Sequence, residues 1–505
     1  MKKYVQVILL GVLFTVLTGT GLAQNETEDA KAFQQALEQD GFTVQEGELG
    51  YFDFLGLYEE GVLPSAYGNN PTTKYLIYFV PPAPGYEVDE GISQITSTLG
   101  VKENTTPFWN LGPDEAVVFV GRTPPECRYL SYDNFIMHRT FGDEKRWLFA
   151  NIADTINNLV IKTEGTPNGS SGNPFNQTTI IVITADKGID QRIRAAAQSA
   201  GYSDDIINTQ VLPSVMLNMG VENDSDTFAS FVRPALFNDT QAGDDYLNNT
   251  SAAVFRITPN ETVELDPYDY PELRVRGTGQ TEFNLLDDLE ELRIAILDRY
   301  NESNATELPT SQGVPTGSDA IQRGINGVGP TNDAVYLWSA NQTASSPTPP
   351  FFDTSQYYPF LQDPEITLGN DSNEFIIVYG VNHAATGKAT YSNFCIYGVD
   401  AWNGVRAITD ADFSGSAEEY LPDNPNAKYL YVYKLARNCT EEDPYCYEVP
   451  YGQGAYGIEL DQPLFIAWRA YLENETKTGP SYSEIVYDRA IKFDPKDSGN
   501  VSSES

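Results

Sequence analysis

Histidine is almost missing from this chain, with only His138 and His383 in 505 residues. That excludes a histidine-rich zinc site, and neither His-Glu-X-X-His nor the phosphate-cradling Gly-X-X-X-X-Gly-Lys occurs. Gly324, Gly327 and Gly329 lack the spacing of a dinucleotide fingerprint, and no Gly-X-Ser-X-Gly elbow is present. Cysteine is scarce as well: four residues, none in a Cys-X-X-Cys pair, which removes the usual metal and redox motifs. Basic residues are few, 31 Lys and Arg against 71 Asp and Glu, for a net charge of -40. Phosphate contacts need clustered cations, so nucleic acid and anionic membrane surfaces are excluded as partners. No apolar run of membrane-spanning length follows the opening segment, and Asp497 to Ser505 reads as a solvated tail.

The opening has the order of a secretory signal: Lys2 and Lys3, an apolar stretch from Val5 to Leu17, then small residues up to Ala23, after which cleavage is expected. Export agrees with 16 Asn-X-Ser/Thr sequons, at Asn25, Asn104, Asn168, Asn176, Asn223, Asn238, Asn248, Asn249, Asn260, Asn301, Asn304, Asn341, Asn370, Asn438, Asn474 and Asn500. In an oxidising compartment Cys439 and Cys446, which flank a short polar loop, are placed for a local disulfide. Cys127 and Cys395 are then expected to form the second, although four cysteines allow three connectivities. The 31 tyrosines and 25 phenylalanines supply apolar surface for two or three cores, so this is no disordered acidic polymer.

The chain also matches itself. A shift of 259 residues pairs Glu115, Gly121, Tyr132, Asn134 and Phe135 with Glu374, Gly380, Tyr391, Asn393 and Phe394. A shift of 236 pairs Arg233, Leu236, Asn238 and Pro259 with Arg469, Leu472, Asn474 and Pro495. Strands rich in β-branched and aromatic residues are expected at Tyr75 to Val80, Ala116 to Val120, Thr179 to Thr184, Phe228 to Phe237, Ala253 to Ile257, Phe375 to Tyr379, Tyr429 to Leu435 and Leu464 to Leu472. Helices are expected at Glu28 to Gln39, Gly188 to Ala200 and Leu285 to Tyr300. The fold class is therefore α+β and β-rich: two tandem copies of an antiparallel sheet or sandwich module, each with a leading helix. Module 1 spans residues 24–265 and module 2 residues 285–496, joined by an acidic, Pro-punctuated linker at 266–284.

Chemistry-bearing residues are sparse. His383 and Lys388 share the small-residue loop Gly380 to Lys388, where a base beside a cation could serve as a catalytic pair. Repetition singles out Arg233 and Arg469, each inside an apolar strand and expected to pair with Glu115 and Glu374 or to line an anion pocket. Their repeated neighbours Tyr132, Asn134, Tyr391 and Asn393 are candidate binding residues whose ordinary roles would be packing and turns. Asp410, Asp412, Ser414 and Gly415 start like a calcium loop, but the twelfth place holds Leu421 instead of a bidentate carboxylate; no cofactor and no metal ligand set is evident beyond that weak loop. The segments Arg128 to Tyr132 and Val232 to Phe237 resemble strand motifs of exported two-module proteins of unknown function. That resemblance implies paired β-sandwich domains and brings no catalytic residues. The expected function is an acidic glycoprotein, secreted or at the cell surface, that binds a small-molecule or protein ligand. A hydrolase with its site at His383 and Lys388 is the alternative, and a cell-envelope structural protein a further one.

Overall fold

The structure, a computed structural model, describes residues 30–496 apart from 89, 313, 340–343, 348–356, 362–365 and 453. The expected signal, the tail, and the sequons at Asn25, Asn341 and Asn500 lie outside the described residues. The chain forms two compact units. The first holds the residues up to Phe52, Tyr75–Thr140 and Ile156–Glu272; the second holds Asp53–Lys74, Phe141–Thr155 and the chain from Leu273 onward. The division at 272/273 falls inside the expected linker. Two stretches of the expected first module nevertheless belong to the second unit, where Gly68 N donates to Trp402 O at 2.8 Å and Phe149 O accepts from Gly329 N at 2.8 Å. Nor does the linker start as loose chain: Lys187 N donates to Asp266 O at 2.8 Å, and Tyr268 N to Ala185 O at 2.9 Å.

In chain order the strands of the main sheets are β1 (Phe42–Glu46), β2 (Glu48–Tyr51), β3 (Leu76–Phe79), β4 (Ala116–Arg122), β5 (Ser131–Phe141), β6 (Glu144–Asn151), β7 (Thr178–Thr184), β8 (Ile207–Val211), β9 (Thr227–Val232) and β10 (Ala252–Pro259). They continue with β11 (Ser303–Leu308), β12 (Ser311–Gln312), β13 (Ala334–Trp338), β14 (Phe375–Val381), β15 (Tyr391–Gly398), β16 (Gly404–Thr409), β17 (Leu430–Ala436), β18 (Cys446–Glu448), β19 (Leu464–Tyr471) and β20 (Arg489–Pro495). Three helices matter for the layers: α1 (residues 30–39), α2 (Lys187–Ser199) and α3 (Leu286–Arg299).

In the first unit one sheet runs β1-β10-β4-β7-β8, antiparallel except for the parallel pair β7/β8. Its central strand β4, Ala-Val-Val-Phe-Val-Gly-Arg, is apolar on both faces, so both must be covered. Ala116, Val118 and Val120 meet Phe33 and Leu37 of α1 and Ile189 and Ile193 of α2. On the other face Phe119 stacks on Tyr78 and packs against Tyr132, which belong to a second sheet running β2-β3-β9-β5. Asp186 starts α2 by accepting from Ile189 N at 2.9 Å, and Gly201, at φ +98°, lets the chain leave it.

The second unit is layered in the same way. Its first sheet runs β11-β20-β14-β17-β18, with β17/β18 parallel, and its second runs β12-β13-β19-β15-β16. Leu289, Leu292 and Ile296 of α3 cover Phe375, Ile377 and Phe493 on one face. Ile376 and Val378 pack on the other face against Leu337, Phe394, Ile466 and Trp468. Among the described residues no helix is long and apolar enough to cross a membrane.

All eight expected strands and three expected helices appear, with one interruption. The run Phe228 to Phe237 breaks after Val232 because Pro234 cannot donate to a ladder, and pairing resumes at Ala235–Phe237.

A carboxylate at the start of each central strand is held by a cation from the neighbouring strand. Glu115 takes both Nε, at 3.1 Å, and Nη2 of Arg256, and accepts from Gly112 N at 2.7 Å. Glu374 lies 3.0 Å from Lys492 Nζ and accepts from Gly369 N at 2.9 Å. Arg256 is 1% exposed, so Arg256→Ala would strand Glu115 in the core at a cost of about 3–5 kcal/mol. Lys492→Ala, at a wetter pair, should cost about 1 kcal/mol or less. Urea denaturation of the two variants checks that ranking, and equal costs would refute it.

Candidate functional site

The loop after β14 carries both expected catalytic residues, and each is fixed by carboxylates far away in sequence. His383 is 3% exposed. Its Nδ1 is 2.9 Å from Glu282 Oε2 and 3.0 Å from Oε1, and its Nε2 is 3.4 Å from Asp488 Oδ2. Burial works against a charged imidazole here, but the two carboxylates outweigh it and push the pKa of His383 up to about 10. Glu282, despite the opposing effect of burial, is held below the usual carboxylate range by His383, by the Thr386 hydroxyl at 2.6 Å and by Val486 N at 3.1 Å. The chain of bonds continues from Asp488 through Tyr431, whose hydroxyl donates to Oδ1 at 2.8 Å, to Trp468, whose Nε1 donates to Tyr431 at 3.0 Å. With a carboxylate facing each ring nitrogen, His383 has no lone pair to offer a substrate proton.

Lys388 is likewise committed. Its Nζ donates to Glu473 at 2.6 Å, to Gln280 O at 2.7 Å, to Thr278 Oγ1 at 3.2 Å and to Glu484. Burial pulls its pKa down, yet the two carboxylates raise it above the ordinary lysine value. Such a lysine stays charged and is no nucleophile.

A cavity of about 480 Å³ opens beside this cluster. Glu282, Lys388 and Glu473 line it together with Thr278, Gln280, Asn284, Thr386, Tyr429 and the sequon residue Asn474. His383 sits behind Glu282 and does not line it. The first unit has a cavity of about 700 Å³ in a comparable place, at the end of β4 and the start of β7, bordered by Arg122, Glu164, Tyr202 and Asn249. Sequence reading reached the cavity beside Lys388 only through the Gly380 to Lys388 loop, whose Thr386 and Lys388 line it, and missed the first unit's cavity, whose walls come from segments with no catalytic pattern. For the first unit's cavity the small and polar run Asn249, Thr250, Ser251 is the local signal.

The repeated arginines are not partnered as expected. Glu115 and Glu374 are taken by Arg256 and Lys492, while Arg233 lies 3.8 Å from Asp133 and over the ring of Tyr75. Arg469 donates to the Tyr397 hydroxyl at 2.8 Å and to Cys395 Sγ at 3.4 Å, between the rings of Tyr336 and Tyr397. Strand neighbours supplied these partners, and alternation along β5 and β15 decided which.

The repeated tyrosines do not stand in matching places either. Tyr132 lies opposite Val232, the residue before Arg233, and packs on Phe119. Tyr391 lies opposite Tyr471, two residues beyond Arg469, and stacks on it, on the face away from the core that holds Phe394. A slip of an odd number of residues exchanges the faces of a strand, so the ungapped match of Tyr132 and Asn134 with Tyr391 and Asn393 fails there. Asn134 accepts from Ser230 Oγ at 2.5 Å, and Asn393 donates to the Tyr391 hydroxyl at 2.6 Å, which are packing roles.

Cys439 and Cys446 are disulfide-bonded, which fits a compartment other than the cytosol. The expected second bridge is absent: Cys127 and Cys395 are free, buried thiols, each seated in its own unit. Cys127 donates to Tyr129 O at 3.1 Å and is pushed up to about 12 by burial, and burial also raises Cys395 despite Arg469 beside it. In the calcium-like loop Asp410 accepts from Ser392 N at 3.0 Å, Asp412 from Thr409 N at 3.0 Å, and Leu421 is core; among the described residues no group of three or more acidic, His or Cys side chains is placed to hold a metal.

No family model matches the chain, and no curated protein matches it. Among solved structures it is similar to an uncharacterised protein from Vibrio parahaemolyticus, 10% identical, over 93% of this chain and 99% of that one, with a TM-score of 0.36. It is similar also to an uncharacterised protein from Burkholderia cenocepacia, 12% identical, over 92% and 86%, with a TM-score of 0.34. At these TM-scores neither says anything about chemistry here.

The His383 cluster makes a signed prediction. Because the folded pKa lies above the free value of 6.5, its stabilisation is complete below pH 6.5 and disappears as pH rises through about 10. His383→Ala, which leaves Glu282 and Asp488 buried without their cation, should cost about 3–5 kcal/mol at pH 6. The gap between variant and wild type in urea denaturation should narrow by about pH 10.5 to what the buried ring adds by packing. A gap independent of pH would show that the ring contributes packing alone.

Proposed function

We propose that this is an exported N-glycoprotein built from two tandem copies of one β-rich module, which binds a polar ligand or partner and does not use His383 as a catalytic base. The observation that carries the reading is the placement of asparagine. All 13 sequon asparagines among the described residues are exposed. Ten other asparagines are buried, Asn70, Asn208 and Asn393 among them, and none of the ten begins a sequon. Sequons scattered at random through the asparagines would fall in the core as well. A bulky, soluble sugar tolerates only the surface.

Support for duplication is topological. Nine of the ten strands from β11 to β20, all but β16, sit in their sheets where the strand ten places earlier in the numbering sits in the first unit. The pair Glu115 and Arg256 recurs as Glu374 and Lys492, shifted by the same 259 and 236 residues that align the sequence. Leu236 and Leu472, also 236 apart, share a positive φ of 57° and 47° just past their arginines.

Binding is assigned to the cavity beside Lys388. It falls within the range of small-molecule sites, and its wall mixes hydroxyls, amides and carboxylates with the ring of Tyr429, a surface suited to a hydroxyl- or amine-bearing ligand. Catalysis is not assigned, since both cationic side chains of the loop are held by buried carboxylates.

Peptide mass spectrometry of protein from its native source tests the reading. Expected are an N-terminus at Gln24 and sugar on Asn238 and Asn474, the sequon repeated in both copies. Recovery of an intact Met1 leader with these asparagines unmodified would sink it.

A further inference from the structure

The first sheet of each unit ends in an exposed strand. Among the described residues β11 pairs with β20 alone and β1 with β10 alone. Four consecutive residues of β11, Asn304 to Glu307, are exposed, and Thr43 and Glu46 of β1 are exposed. An open edge offers a row of unpaired N–H and C=O groups to any other strand, most readily to the same strand of a second copy. The far edges are managed in other ways: β8 is mostly buried, and β18 is three residues long and clipped by the Cys439–Cys446 bridge.

The open edges share a different feature, which is a sequon at the same corner. In β1 the first residue, Phe42, lies opposite Pro259, and Asn260 follows directly. Its backbone N donates to Gly41 O at 3.0 Å, and its side-chain oxygen accepts from Thr43 Oγ1 at 2.7 Å, so Asn260 sits at the corner where β1 begins. In β11 the first residue, Ser303, lies opposite Pro495, and the sequons at Asn301 and Asn304 flank it. Asn260 follows the inner strand and Asn301 and Asn304 belong to the edge strand, so the two placements are not copies of one ancestral sequon. The same corner is marked twice by different residues.

We propose that N-glycans on Asn260, Asn301 and Asn304 guard β1 and β11 against edge-to-edge pairing with a second copy of this chain. The proposal rests on the glycoprotein reading above. A bulky hydrophilic group at the start of an edge strand prevents a second backbone from coming within hydrogen-bonding distance along its length, much as an edge lysine does. The rest of β11 has only Glu307 as a charged deterrent, and Arg293 of α3 neutralises it at 2.6 Å.

The test uses the full chain made through a eukaryotic secretory pathway. Glycopeptide analysis first establishes whether Asn301 and Asn304 carry sugar. The double variant Asn301→Gln, Asn304→Gln is then compared with wild type by sedimentation velocity, and with the triple variant that adds Ala305→Lys, an edge charge that replaces the sugar. Expected is a shift from monomer to dimer or larger species in the double variant and return to monomer in the triple. Occupied sites with identical sedimentation of wild type and double variant overturn the guarding role and leave the glycoprotein reading intact. Unoccupied Asn301 and Asn304 overturn the guarding role, and the glycoprotein reading falls with it only where Asn238 and Asn474 are bare as well. Circular dichroism of the double variant separates edge pairing from misfolding: native spectra with association support the proposal, and association only with loss of the native spectrum overturns it.

Discussion

A strand that is apolar on both faces has to be covered twice, and most of this structure follows from that constraint. β4 and β14 are each buried along nearly their whole length. One cover is a helix layer, α1 with α2 or α3 alone, and the other is a second sheet whose aromatic side chains reach across the gap. Neither sheet of a unit is sufficient by itself. The second sheet in turn buries polar strand residues such as Asn134, Ser230 and Asn393, which stay inside because they bond to one another or to hydroxyls.

The same burial explains how so acidic a chain keeps carboxylates in its core. Glu115, Glu282, Glu473 and Asp488 are each at most 4% exposed, and each is met by Arg256, His383 or Lys388. These three cations thus sit inside, where an unpaired carboxylate would be most costly. That pairing also accounts for the fate of His383 and Lys388: a base and a cation on a glycine-containing loop look like chemistry until their partners are known.

Those partners mark the limit of what a linear reading reaches. Strands and helices were legible because their signals are local: Val-Val-Phe-Val and Ile-Ile-Val-Ile can hardly be anything but buried strand, and Asp186 and Gly201 bracket α2. The layered pairing was partly legible, since Glu115 and Glu374 recur at one shift and Pro259 and Pro495 at another. Glu282 and Asp488, by contrast, lie 101 and 105 residues from His383, and no motif ties them to it. Parity alone pairs Cys127 with Cys395 in the sequence, whereas in the fold each thiol is buried in its own unit. The match at Tyr132 and Tyr391 failed because identity of residue types does not encode strand parity. Registers show Phe394 opposite Trp468 where Tyr132 is opposite Val232, so alignment on the arginines equates Tyr132 with Phe394 and Asp133 with Cys395.

In the first unit the repeated arginine, Arg233, just past the end of β9, keeps a carboxylate neighbour, Asp133, at 3.8 Å. In the second the register-equivalent residue is a thiol, and the guanidinium of Arg469 settles instead between two tyrosine rings and a tyrosine hydroxyl. Cation–π contact with desolvated rings contributes about 2 kcal/mol, far less than the full cost of an isolated buried ion. A guanidinium tolerates this because its charge is spread over a flat, weakly hydrated surface, and a lysine ammonium at the same place would not. Two units layered in the same way can thus hold an arginine at one register position while differing in what stabilises it, provided the alternative surrounds the cation with π faces and a hydroxyl.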